Sequence, residues 1–190
     1  MSSIKKITQI AHLMVSQVLE PGDLAVDATA GNGIDSVFLA GQVGSKGQVY
    51  TFDIQEEALA LTASKLKDHN MDQQVTLIKD GHEKLSDYIN EPVTAFMYNL
   101  GYLPGGGSRV TTRLDTTLRS IQQALVLLKA GGLITVIMYP GHREGKVEKA
   151  GLLPVFNSLP ATEFVALHYN YLNISNDPPE LVVVQKVTSD

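Results

Sequence analysis

Ile4, Ile7, Ile10, Ala11, Met14, Val18 and Leu19 recur at helical spacing, which predicts an amphipathic amino-terminal helix within residues 1–20, stopped by Pro21-Gly22 and packed beside the core. Residues 24–28 then form a short apolar run of the kind that makes a buried strand, lead into a glycine-containing turn, and continue as a helical stretch over 34–42. The alternation repeats: strand 48–53, helix 56–69, strand 75–79, strand 93–99, a glycine-rich loop over 101–108, helix 111–129 and strand 133–139. After Gly141 a charged helical stretch leads to residues 162–171, 173–180 and 181–187, and the last two extended runs resemble an antiparallel pair. Strands separated by helices imply a mostly parallel sheet in an α/β fold.

Length and composition narrow this picture. A chain of 190 residues with 44% hydrophobic residues suits one compact domain covering 1–190 and excludes a disordered chain. There is no cysteine, so disulfides, thiolate metal sites and a cysteine nucleophile are excluded. No metal is expected. No apolar run reaches the roughly 18 residues of a membrane span, and polar Thr8, Gln9, His12, Ser16 and Gln17 interrupt any signal-peptide core. A soluble, cytoplasmic protein without a membrane partner is therefore expected. Fifteen Lys and Arg against 20 Asp and Glu give a formal charge of -5, which argues against a broadly basic nucleic-acid binder but leaves room for a local basic surface.

The stretch Asp27-Ala28-Thr29-Ala30-Gly31-Asn32-Gly33 carries the chemistry, because a buried strand delivers it into a helix and its small residues let backbone approach a ligand. In a doubly wound sheet ligands bind beyond the carboxyl ends of the strands, so Asp27 and Gly31 to Gly33 would line the central crevice. Asp53-Ile54 ends the next strand, where a carboxylate can accept both hydroxyls of a ribose, and Asp80-Gly81-His82 follows the third, which would put Asp80 near an adenine amino group if the crevice holds an adenosine moiety. A nicotinamide dinucleotide is the competing ligand, but Ser36 stands where its turn carries a third glycine, and Asp27 would repel a pyrophosphate while attracting a cationic sulfonium. S-adenosyl-L-methionine fits better. The plainer alternatives are a helix-capping turn at 27–33, a cap at Asp53 and a turn at Asp80.

These residues resemble a class I S-adenosylmethionine-dependent methyltransferase, with Asp27 to Gly33 as the first motif and Asp53 as the ribose acid. Together with Tyr98-Asn-Leu-Gly-Tyr-Leu-Pro-Gly-Gly106 and Tyr139-Pro-Gly-His142, they resemble the MnmM family, formerly YtqB and labelled putative rRNA methylase. The resemblance implies a Rossmann-like, seven-stranded sheet with an antiparallel last strand and a homodimer. It also implies methylation of the 5-aminomethyl group of 2-thiouridine at tRNA wobble position 34, so the partner would be a tRNA anticodon stem-loop. The alternatives are an rRNA or other amine N-methyltransferase, an NAD-dependent oxidoreductase and a nonenzymatic adenosyl-ligand-binding regulator.

Within that reading Asn99 stands where amino-methylating enzymes carry an Asn-Pro-Pro-Tyr-like motif, and its side-chain oxygen can accept a hydrogen bond from an amine. Tyr139 can stack on an extruded base, and His142 can contact substrate or receive a proton. Tyr102 and Gly105 of the glycine loop complete the expected substrate site. Arg109, Arg113, Arg119, Arg143, Lys146 and Lys149 are candidate phosphate contacts, with solvated helix faces as the plainer reading. Asp35 is read as a dipole-stabilising acid or a hydrogen-bond partner behind the site.

Overall fold

The computed structural model describes residues 6–101 and 111–188; Tyr102, Gly105 and Arg109 lie outside them. Six parallel strands and one antiparallel strand form a sheet in the order β3-β2-β1-β4-β5-β7-β6. They are β1 (Leu24–Asp27), β2 (Gln48–Phe52), β3 (Val75–Ile78), β4 (Val93–Asn99), β5 (Leu128–Met138), β6 (Phe164–Tyr169) and β7 (Glu180–Lys186). β7 runs antiparallel between β5 and β6, so it is the reversed strand that the resemblance implied. The helices are α1 (Ile7–Val15), α2 (Ile34–Val43), α3 (Glu56–Asp68), a single turn α4 (Leu85–Tyr88), α5 (Leu114–Leu127) and α6 (Arg143–Asn157).

The central strands of the sheet are covered on both faces, which is why they read as unbroken apolar runs, whereas most of edge strand β6 is exposed. Side chains alternate across β4: Phe96 and Tyr98 join Phe52, Ile121, Ile134 and Leu152 in one cluster, whereas Ala95 and Met97 face Ile7, Ala11, Val15 and Leu39 in the other. Helix α1 thus fills one face, packed on β5 and β7. Because β1 and β4 are adjacent while their connections leave in opposite directions, a crevice opens beyond their carboxyl ends.

Two sequence expectations change, and one short element was not anticipated. The strand expected over 133–139 begins earlier, at Leu128 opposite Val93, where the helix was expected to continue, and its register shifts at a bulge before Ala95; Gly131 has φ +79°. Residues 173–179 form a connection rather than an extended run, with Asn176 and Asp177 in left-handed conformations ahead of Pro178 and Pro179, so the antiparallel pair is β6 with β7. Helix α4 and the preceding 3-10 turn His82–Lys84 had no expectation, being too short to show a period. Phe96→Ala should lower unfolding free energy by about 3–5 kcal/mol, because it empties a fully buried site. Val126→Ala, at a side chain left mostly to solvent, should change it by less than about 0.5 kcal/mol in the same urea titrations.

Candidate functional site

The turn after β1 is built from the strand outward. Ala28 N–H donates to the Met97 carbonyl at 2.9 Å and Ala30 N–H to the Phe52 carbonyl at 2.9 Å, so the chain passes over β4 and then β2 before turning. Gly31 and Gly33 supply positive φ (+49° and +73°), and a Cβ at Gly33 would lie 2.8 Å from Thr62 Cα, so a glycine is needed both for the turn and for α3 to pack against it. Beneath the turn the Asp27 carboxylate, fully buried, accepts Ser36 Oγ at 2.5 Å and Thr29 N–H at 3.0 Å. Burial, and next the charge of Asp35, push its pKa up to about 7. Lys65 Nζ donates to the Asn32 carbonyl at 2.5 Å and pins the far side of the turn.

Asp53 closes the cup from β2: its two oxygens accept Gly31 N–H at 3.0 Å and Gln55 N–H at 2.9 Å. From β3 comes Asp80, whose carboxylate is held by Lys84, by Gly81 N–H at 2.8 Å and by the Tyr88 hydroxyl at 3.0 Å. The Lys84 ammonium holds it below the usual carboxylate range. Buried His82 donates Nδ1–H to the Ala28 carbonyl at 3.0 Å, and burial lowers its pKa, so its ring is neutral at pH 7.

Opposite stands Asn99 at the end of β4. Its N–H donates to Thr29 Oγ1 at 2.8 Å, and its side-chain Nδ2 donates to Asp35 Oδ2 at 3.4 Å. The other Asp35 oxygen lies 2.6 Å from His12 Nε2 on α1. Tyr139 follows β5, half-buried; burial first and the Asp35 charge second raise its pKa. His142 caps α6, where Nδ1 accepts Gly145 N–H at 3.2 Å. Buried Glu148 accepts Thr112 Oγ1 and Thr117 Oγ1, each at 2.7 Å, while Gly101 N–H donates to Thr112 Oγ1 at 2.9 Å. This ties together the two described ends of the glycine-loop region.

These groups surround a cavity of about 670 Å³. Its wall includes Ala28, Thr29, Gly31, Asn32, Asp53, Ile54, Asp80, Gly81, His82, Asn99, Tyr139 and His142, all expected from sequence. Thr8, Ile34, Asp35 and Arg113 line it as well. Ile34 and Ile54, 61% and 56% exposed, are apolar surfaces that a flat, partly apolar ligand would cover. The arrangement offers carboxylates for hydroxyls and amines and a backbone cup with room for a nucleoside-sized group.

Residues 49–185 match the model of the family described as "Putative rRNA methylase". The chain belongs to that family. It is 42% identical to a Clostridium thermocellum protein described as a "putative rRNA-methylase", whose crystal structure superposes with a TM-score of 0.95 over 98% of this chain and 100% of that one. A Streptococcus mutans "putative methyltransferase", solved in complex with SAH, is 38% identical with a TM-score of 0.88 over 97% of this chain and 99% of that one. The chain is also 35% identical to "tRNA (mnm(5)s(2)U34)-methyltransferase, chloroplastic" of Arabidopsis thaliana, over 89% of this chain and 65% of that protein. The Rossmann-like methyltransferase fold is that of the family.

Membership leaves the individual residues to geometry, which places two of them, Asp27 and Gly33, differently from the expectation. Asp27 and Gly33 lie behind the cavity wall instead of lining it, because the Asp27 oxygens turn inward to Ser36 and Thr29. Arg143 is exposed and off the wall, in the first turn of α6. Lys146 pairs with Asp177 at 2.9 Å, and Lys149 with Glu180 at 2.6 Å. His12 and Glu148 went unread in the sequence: each sits at an amphipathic helix position that nothing local marks, and its partner is far along the chain. For Asp27, the raised folded pKa lies above the unfolded value of 3.8, so its contribution to stability is full below pH 4 and is lost as pH rises towards 7. Urea unfolding between pH 4.5 and 8 should therefore show Asp27→Asn gaining stability relative to the parent as pH increases.

Proposed function

We propose that the protein is an S-adenosyl-L-methionine-dependent methyltransferase that methylates the 5-aminomethyl group of 2-thiouridine at tRNA position 34, giving 5-methylaminomethyl-2-thiouridine. The observation that carries the cofactor half is the Gly31–Asp53 cup. Asp53 is already fixed by two backbone N–H groups, so its carboxylate can receive ribose hydroxyls without first being ordered. The residues fit the group: Asp53 would hold the ribose, Ile54 and His82 would flank the adenine, with Asp80 near its amino group, and Gly31 and Asn32 would meet the amino-acid end. Asp27 then acts from beneath, by holding the turn and adding negative potential below a cationic sulfonium. When bound, the cofactor supplies an electrophilic methyl group.

The remaining chemistry falls to the chain. The acceptor amine must be neutral; for an alkylamine with a pKa near that of lysine, about 10.4, deprotonation at pH 7 costs about 4–5 kcal/mol, and an aminomethyl group on uracil costs less. Asn99 Oδ1 can take one amine hydrogen and so aim the lone pair. Tyr139 on the same rim can stack on the extruded base, and His142, with Nδ1 engaged as a helix cap, contributes shape to the rim more than proton transfer. Arg113, which lines the cavity, is well exposed and lies 3.7 Å from Asp115, would meet a phosphate of the anticodon stem-loop. The substrate half rests on the family and on the Arabidopsis relative, of whose length the chain spans 65%. A cytoplasmic site of action and the implied homodimer belong to the same proposal; among the described residues no helix is long and apolar enough to cross a membrane.

Calorimetry with S-adenosylhomocysteine is expected to give binding that Asp53→Ala weakens by about 10–100-fold, the loss of charge-assisted hydrogen bonds worth about 1.5–3 kcal/mol. Incubation with labelled cofactor and tRNA carrying 5-aminomethyl-2-thiouridine should place one methyl on that nucleoside. Label appearing only in ribosomal RNA would replace the tRNA reading with the rRNA one, and NAD binding without S-adenosylhomocysteine binding would remove both.

A further inference from the structure

A side-chain amide offers an acceptor at one end and two donors at the other, and a half-turn exchanges them. At Asn99 the difference is decisive for an amine substrate. With Oδ1 towards the cavity, the amide accepts an amine hydrogen and leaves the nitrogen lone pair available; with Nδ2 there, it donates to that lone pair and quenches it. Something must choose between the two.

We propose that Asp35, braced by His12, is a positioning residue that fixes Asn99 with its oxygen towards the acceptor amine. The inference rests on the amine-methylating reading above. The group that faces Asp35 Oδ2 across 3.4 Å is the Asn99 NH₂, which donates to it and so turns Oδ1 the other way. Asp35 is itself held: its other oxygen lies 2.6 Å from His12 Nε2, and the His12 ring stacks on Phe38 with centroids 4.0 Å apart and planes 3° apart. The Asn99 main chain is fixed separately by its N–H bond to Thr29 Oγ1, which leaves the side-chain torsion as the freedom Asp35 removes.

Asp35 sits where a charge is costly. It is 6% exposed on the first turn of α2, and its charge raises the pKa of Asp27 behind it, so it adds an electrostatic cost to the interior. A dipole-stabilising role at the start of α2 would be served as well by an exposed acid, without a histidine from α1 to hold it. Helix α1 thereby enters the site through His12 and Thr8 instead of serving as packing alone.

The test compares the parent, Asp35→Asn, Asn99→Ala and the double variant, each checked for folding by thermal denaturation and for S-adenosylhomocysteine affinity by calorimetry. With the aminomethyl tRNA, Asp35→Asn should lower kcat by roughly 10–100-fold, with KM and cofactor affinity within about twofold, as for an interaction realised in the transition state. In the Asn99→Ala background the same change should cost less than about twofold, since its effect runs through Asn99. In nitrogen–proton correlation spectra the Asn99 NH₂ signals, assigned by their loss in Asn99→Ala, should move in Asp35→Asn. An unchanged kcat, the same loss in both backgrounds, or unmoved signals would overturn the inference. If the parent transfers no methyl to the amine, the functional reading fails on its own, and the spectra alone decide whether Asp35 orients Asn99.

Discussion

A buried carboxylate beneath a glycine turn is the constraint on which the site depends. Asp27 is the last residue of β1, has no exposed surface, and is pushed towards neutral pH values by its burial. Such a group is tolerated in a core when its oxygens are bonded, and here Ser36 Oγ and Thr29 N–H supply the partners. Ser36 is in turn approached by Thr51 Oγ1 at 3.2 Å, so β1, α2 and β2 are joined through one polar cluster. This cluster sets the turn, the turn aims Gly31 N–H, and Gly31 N–H fixes Asp53.

A chain of dependence runs from the other side as well. The Thr29 hydroxyl that belongs to the turn accepts Asn99 N–H, so the same few residues place the proposed cofactor acid and the proposed substrate amide relative to each other. Reacting groups need mutual placement to within tenths of an ångström, and rigid strand ends provide it better than loops. Glu148, whose pKa is raised by burial, plays the corresponding part at the glycine loop: two threonine hydroxyls and, through Thr112, the Gly101 N–H hang from it.

The strands and the crevice were legible in the sequence because their signals are local. Apolar runs, with polar residues ending or closely following them, put Asp53, Asp80 and Asn99 at successive strand ends, and all three line the cavity. What was not legible depends on contacts between distant residues. Whether Asp27 points into the crevice or under the turn is decided by Ser36, a helix residue whose hydroxyl reaches back to the strand. His12 meets Asp35 only because α1 packs over β5 and β7, and an amphipathic period says which face is apolar without saying what its border residues touch. The early start of β5 at Leu128 was missed for a related reason: it is set by pairing with Val93, a contact that nothing local to 128–132 shows.

The most direct measurement of the central claim is modified-nucleoside profiling of total tRNA from cells with and without the protein, by mass spectrometry. The expected result is accumulation of 5-aminomethyl-2-thiouridine at the expense of its methylated form, reversed by the parent gene and not by one encoding Asp53→Ala. An unchanged ratio of the two nucleosides on loss of the protein would contradict it.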